Sequence, residues 1–212
     1  MRSPAFPDLL RFARQAVQSA VTACSEAPDA GHLLAVDATC GNGHDRLFLA
    51  ETQRPVQGGQ GVSLLGCDVQ QAALDATAKL LEQNGLLGNA RLLPRSHAHA
   101  GEEIIRIRAE RGETISLCAA MYNLGFLPRS DKSVITRSDS TLASLKAILP
   151  LLFRDGLVSV HAYGGHPGGK EEMEAVDAWC ADLPVDGWLC ARYSMHNKTR
   201  TPEALFLIGR RE

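Results

Sequence analysis

The segment Leu33-Leu-Ala-Val-Asp-Ala-Thr-Cys-Gly-Asn-Gly-His-Asp45 constrains the fold more than any other part of this chain. An apolar run closing on Asp37 reads as a buried strand, Thr39 to Gly43 as a glycine-containing turn, and the residues beyond as a helix. A second apolar run, Ser63 to Cys67, is followed by the acid Asp68. Strand, tight turn, helix and a second strand ending in an acid together make a nucleotide-binding half-site. The glycines let the backbone approach a ligand, and the acid accepts hydrogen bonds from ribose hydroxyls.

The same alternation continues along the chain. Strands are predicted at 33–38, 63–68, 90–94, 115–121, 156–162, 187–194 and 204–210. Helices are predicted at 44–53, 70–84, 99–110, 138–152 and 169–182. An amphipathic helix over about 8–26 precedes them, with apolar residues from Leu9 to Val21 at helical spacing and Asp8 as its cap. Alternation of this kind predicts a parallel sheet covered on both faces. The last two strands are separated by a polar stretch without a helix, which predicts a final antiparallel hairpin. The expected fold is therefore α/β, a seven-stranded, mostly parallel, Rossmann-like sheet of the class I methyltransferase kind. One domain over residues 1–212 is expected, with 53–61 as a Gly/Gln-rich surface loop.

Composition narrows the function classes. A net charge of −2 argues against a general nucleic-acid coat and leaves room for a local basic patch. Arg129, Lys132, Arg137, Lys170, Lys198 and Arg200 lie in strand-end or late-loop segments, where together they would offer phosphate contacts. Six cysteines without a C-x-x-C pair predict no structural zinc, no other metal site and a reducing, cytoplasmic setting. Arg11, Arg14 and Gln15 interrupt the N-terminal segment, so no membrane span is expected there.

The order Asp37-x-Thr39-x-Gly41-x-Gly43 is close to the D-x-G-x-G-x-G of S-adenosylmethionine (SAM) enzymes, with Thr39 at the first glycine position. A dehydrogenase fingerprint needs a third glycine where this chain has Arg46. Asp37 can lie near the cationic amino-acid end of SAM, where a dinucleotide phosphate would be repelled. Asp37, Thr39, Gly41, Asn42, Gly43 and Asp45 are thus candidate cofactor residues. Asp68 is the candidate for the ribose diol, Val69 and Gln70 for the flanks of the adenine, and His97 for a contact on the adenine side. At the end of the fourth strand, Asn123 can offer a carbonyl oxygen to an attacking amine, although Asn-Leu-Gly-Phe matches the Asn/Asp-Pro-Pro-aromatic motif of DNA amino-methyltransferases only in part. In the glycine-rich loop after the fifth strand, Tyr163 is a candidate stacking surface and His166 a candidate proton acceptor or substrate clamp.

Taken together, Asp37-Ala-Thr-Cys-Gly-Asn-Gly-His-Asp45, Gly66-Cys-Asp-Val-Gln70, Ala120-Met-Tyr-Asn-Leu-Gly-Phe-Leu-Pro128 and Gly165-His-Pro-Gly-Gly169 resemble the signatures of the YtqB-like family. These are small class I SAM-dependent methyltransferases long labelled rRNA methylases. The resemblance covers roughly residues 30 to 210 and departs from the family at Arg95-Ser96, Arg129-Ser130 and Gly164. It implies methylation of the amine of 5-aminomethyl-(2-thio)uridine at the tRNA wobble position. The implied partner is therefore RNA, at the tRNA anticodon region, bound by a monomer or homodimer. The implied mechanism is in-line attack by a neutral amine, with Asn123 orienting it and Tyr163 and His166 shaping the pocket. An rRNA methyltransferase, a small-molecule SAM-dependent N-methyltransferase and a non-catalytic partner subunit of the same fold are the alternatives, with a dehydrogenase further off.

Overall fold

The computed structural model describes residues 8–41, 43, 45, 48–49, 63–112, 114–125, 135–198, 200 and 202–211. Helix α1 (Leu9–Glu26) starts where the Asp8 carboxylate accepts the Arg11 backbone N–H at 2.7 Å, satisfying one of the free donors of a helix N-terminus. Leu9, Ala13, Val17, Val21 and Cys24 form its buried stripe. Strands β1 (His32–Asp37) and β2 (Ser63–Cys67) follow, then α2 (Gln71–Gln83), β3 (Ala90–Leu93) and α3 (Ala100–Arg111). The chain continues through β4 (Ile115–Asn123), α4 (Ser138–Ile148), β5 (Leu152–Tyr163) and α5 (Gly169–Ala181), and ends on β6 (Trp188–Ser194) and β7 (Glu203–Arg210).

All seven strands form one sheet in the order β3-β2-β1-β4-β5-β7-β6. The first five pair in parallel, and β7 runs antiparallel to both β5 and β6. The expected mostly parallel sheet with a closing antiparallel hairpin is therefore the observed one, with β7 inserted between β5 and β6. Strand alternation sends successive residues to opposite faces. Leu34 and Val36 join a core cluster with Ile104 of α3, Leu145 of α4 and Val176 of α5. Leu33 and Ala35 join the other cluster, against Val17, Val21 and Cys24 of α1. The first half of α1 reaches further, placing Leu9 and Ala13 on Leu205 and Leu207 of β7. Fully burying each large aliphatic side chain contributes about 1.5–3 kcal/mol, so α1 is bound into the sheet at several points.

Two expectations need correcting. The helix predicted over 138–152 stops at Ile148, and a 3₁₀ turn containing Pro150 follows at once. Proline has no N–H for a helix ladder, so the chain leaves the helix and β5 begins at Leu152 rather than at 156. Register along β4 and β5 shifts between Leu117 and Ala119, opposite the early part of β5. Of the helix predicted over 44–53, Asp45, Phe48 and Leu49 are helical. The rest of that span, and the predicted 53–61 loop, lie outside the described residues.

Candidate active site

The chain builds outward from β1 to β3 and then crosses back to place β4 on the other side of β1. Open α/β sheets bind ligands in the crevice that such a reversal opens at the carboxyl ends of the strands. Here a cleft of ≈ 330 Å³ lies at that edge, with residues from the ends of β1, β2, β4 and β5 and from α1 in its wall. That is within the size range of small-ligand pockets.

Hydrogen bonds fix its floor. Asp37 is buried, and its Oδ1 accepts the Thr39 backbone N–H at 3.1 Å. The Thr39 hydroxyl accepts the Asn123 backbone N–H at 2.8 Å, clamping the end of β1 to the end of β4. Threonine at the first glycine position of the motif supplies an oxygen that glycine lacks. Asp68 is held from two sides, its Oδ2 accepting from Gly41 N–H at 3.0 Å and its Oδ1 from Gln70 N–H at 2.9 Å. Gly43 has φ +78°, and a Cβ there would stand 3.1 Å from the Thr77 Cα. The turn is thus pressed onto α2 in a backbone conformation that favours glycine.

The Asn123 side chain is fixed in the cleft through Asp45. Its Nδ2 donates to Asp45 Oδ2, while Arg14 of α1 donates to Asp45 Oδ1 through Nε at 3.0 Å and Nη2 at 2.8 Å. A carboxylate only accepts, so the amide nitrogen faces Asp45 and the carbonyl oxygen faces away. That oxygen, Asn123 Oδ1, is buried and has no hydrogen-bond partner among the described residues. A buried acceptor without a donor costs about 1–3 kcal/mol, a cost relieved when an N–H arrives.

His97 forms another part of the wall. It follows Ser96, whose hydroxyl accepts the Ala98 N–H at 3.3 Å. Its carbonyl accepts from Ser144 at 2.8 Å, and Ser144 in turn meets the Tyr122 hydroxyl at 2.7 Å. Burial pushes the His97 imidazole down to about 4, so it is neutral at physiological pH. On the β4–α4 side, the Thr136 hydroxyl accepts the Gly125 N–H at 2.7 Å and donates to buried Glu172 at 2.6 Å.

Of the candidates named from the sequence, Thr39, Gly41, Asp45, Asp68, Val69, Gln70, His97, Asn123 and Tyr163 all line the cleft. Asp37 and Gly43 stand behind this wall as supports. His166 is not in the cleft wall; its ring packs against Gly125 and Gly169, and its Nδ1 lies 3.0 Å from the Pro167 carbonyl. Lys170 is exposed and pairs with Glu174 at 3.7 Å, Lys198 pairs with Glu203 at 2.7 Å, and Arg200 is exposed. Asn42, Arg129 and Lys132 lie outside the described residues. Sequence reasoning missed Leu10 and Arg14, which α1 delivers to the cleft, and the Thr136–Glu172 support. Leu10 and Arg14 are four apart on one helix face, but an arginine on an amphipathic helix reads as solvated until its partner is seen.

Comparison with known proteins agrees with this geometry. Residues 64–209 match the family described as "Putative rRNA methylase". A relative from Arabidopsis thaliana, "tRNA (mnm(5)s(2)U34)-methyltransferase, chloroplastic", is 36% identical over 180 residues, covering 82% of this chain. The chain spans 62% of that relative's length. Among solved structures, a "putative rRNA-methylase" from Clostridium thermocellum is 28% identical, with a TM-score of 0.73, covering 92% of this chain and 96% of its own. A Streptococcus mutans methyltransferase in complex with SAH is 25% identical with the same TM-score of 0.73, covering 97% of this chain and 99% of its own. No described helix is long and apolar enough to cross a membrane.

Proposed function

This chain belongs to the "Putative rRNA methylase" family, and from that premise we propose that it is a SAM-dependent RNA methyltransferase. Its acceptor is the primary amine of 5-aminomethyl-(2-thio)uridine at the wobble position of tRNA. The observation that carries this reading is the Asn123 carboxamide, whose nitrogen is fixed on Asp45 and whose buried oxygen is left for a donor. The Arabidopsis relative's name supports the tRNA acceptor over the rRNA of the family's description.

The residues present fit SAM. Asp68 lines the cleft, and among the described residues its carboxylate accepts two backbone N–H groups, fewer than its lone pairs allow; it would take the ribose diol. Val69 and Gln70 would flank the adenine, with neutral His97 beyond them. The glycine turn lets the backbone come close without side chains in the way. When bound, SAM supplies a methyl group already activated on a sulfonium. Asn123 Oδ1 accepts one N–H of the amine and so aims the nitrogen lone pair, without adding a charge that would hold the amine as ammonium. Such alignment contributes up to about 7–11 kcal/mol in favourable cases. Exposed Arg137, Lys170, Lys198 and Arg200 are the described candidates for contacts to RNA phosphates, with Lys170 and Lys198 also paired to Glu174 and Glu203.

Purified protein incubated with labelled SAM and tRNA lacking the final wobble methylation tests the reading, followed by digestion to nucleosides. Label in the 5-methylaminomethyl nucleoside is the expected result. Label confined to rRNA or to a small amine, with the tRNA unlabelled, overturns the tRNA assignment.

A further inference from the structure

Beyond the groups that line the cleft, a line of polar side chains leads from it along one face of the sheet to the surface. Tyr163 ends β5 and faces the cleft. Its hydroxyl lies 2.9 Å from Nδ1 of His161, two residues earlier on the same strand face. The His161 side chain is 4% exposed, and its Nε2 lies 3.3 Å from the Glu203 carboxylate. Glu203 stands directly opposite Tyr163 in the β5–β7 pairing, so strand alternation and register together bring the three side chains to one face. Lys198 donates to the other Glu203 oxygen at 2.7 Å, at the exposed end of the line.

Donor and acceptor roles along this line follow from the carboxylate. Glu203 only accepts, so neutral His161 carries its proton on Nε2 and presents the Nδ1 lone pair to Tyr163. The Tyr163 hydroxyl then donates inward and turns its own lone pairs toward the cleft. An amine bound there arrives as an ammonium, which has no lone pair to attack with. Tyr163 alone is no base for it, because burial, with Glu203, Asp45 and Asp8 acting in the same direction, pushes its phenol up to about 12. Burial holds the His161 imidazole below its usual value; Glu203 and Asp45 oppose that shift and Lys198 adds to it. His161 is therefore neutral at physiological pH and able to take a proton. Burial also disfavours an ammonium in the cleft, which brings the two proton affinities together.

Building on the amine acceptor of the preceding subsection, we propose that Tyr163, His161 and Glu203 form the relay that deprotonates the substrate ammonium. One ammonium proton passes to Tyr163 Oη as the Tyr163 hydroxyl proton passes to His161 Nδ1. The N–H bonding pair stays on the substrate nitrogen, and the imidazolium is held by Glu203. After product leaves, the same path run outward returns the proton to water entering the cleft, and both side chains regain their starting forms. Tyr163 is the group that meets the substrate; His161 and Glu203 act through it as positioning residues.

The test is the pH profile of single-turnover methyl transfer to tRNA bearing the aminomethyl group. Wild type is compared with His161→Asn, which can accept the Tyr163 hydroxyl but cannot take its proton, and with Tyr163→Phe. Both variants should bind SAM like wild type in calorimetry. At neutral pH each should be slower by about 100-fold or more, the range of general base catalysis, and each should recover at high pH as solvent takes the proton. Nitrogen NMR of the free protein should show neutral His161 protonated on Nε2. Variant profiles parallel to wild type across pH, or a His161 protonated on Nδ1, overturn the relay alone. A wild-type protein that transfers no methyl to the amine overturns the preceding reading and the relay with it.

Discussion

Acidification offers the most quantitative check on the cleft wall, through His97. Its side chain is buried, edge-on to the Tyr122 ring at 5.9 Å and 3.4 Å from the Thr141 hydroxyl. Burial lowers its proton affinity from the ordinary 6.5 to about 4. The unfolded chain therefore takes up this proton near pH 6.5, and the folded protein takes it up only near 4. Stability from this group is full above the unfolded value and falls as pH drops through the window between the two. At about 1.36 kcal/mol per pH unit, the 1.5 or so units between pH 6.5 and 5 remove about 2 kcal/mol. Urea unfolding of wild type and His97→Gln at a series of pH values measures this directly. Subtracting the variant's curve removes every other titrating group, His161 included. The wild type should lose about 2 kcal/mol more than the variant between pH 7 and 5. Parallel stability curves over that interval would refute a neutral, desolvated His97.

Asp68→Asn replaces an oxygen that accepts Gly41 or Gln70 N–H with a second donor, and removes the charge from the ribose site. Hydrogen bonds to a charged group contribute about 1.5–3 kcal/mol, so calorimetry should show SAM bound about 10- to 100-fold more weakly; unchanged affinity counts against the ribose role. Arg14→Met leaves the Asp45 carboxylate, 11% exposed, without its guanidinium and loses the Arg14 stacking over Phe48 at 5.5 Å. For a partly exposed pair this costs about 1–2 kcal/mol in urea unfolding. Methyl transfer should fall further than SAM affinity does, because Asp45 no longer fixes Asn123; an equal loss in both would detach α1 from the chemistry.

Much of this architecture is legible in the sequence because buried strands and amphipathic helices leave distinct apolar patterns. The unbroken apolar run Leu33 to Val36 follows from burial on both faces of the sheet, and the helical stripe from Leu9 to Cys24 from burial on one face of α1. The glycine turn and Asp68 can be named in advance because their spacing is local, within one strand–turn–helix–strand unit. What the sequence conceals depends on contacts between distant elements. Arg14 reaches Asp45 across 31 positions, and His161 meets Glu203 across 42. His161 looks like one polar residue in an apolar strand until the β5–β7 register is known. His166, set among glycines, draws attention in the sequence, yet it packs two loops together outside the cleft wall. Glycine marks close packing as readily as it marks a ligand.

The proposed chemistry turns on the Asn123 carboxamide oxygen as the acceptor that aims the amine. Asn123→Ala should be measured for SAM affinity by calorimetry and for single-turnover transfer to tRNA carrying the aminomethyl nucleoside. SAM affinity should stay within about threefold of wild type, while the transfer rate falls about 100-fold, the equivalent of about 3 kcal/mol. A transfer rate close to wild type, or a loss fully accounted for by weakened SAM binding, would contradict the role assigned to Asn123.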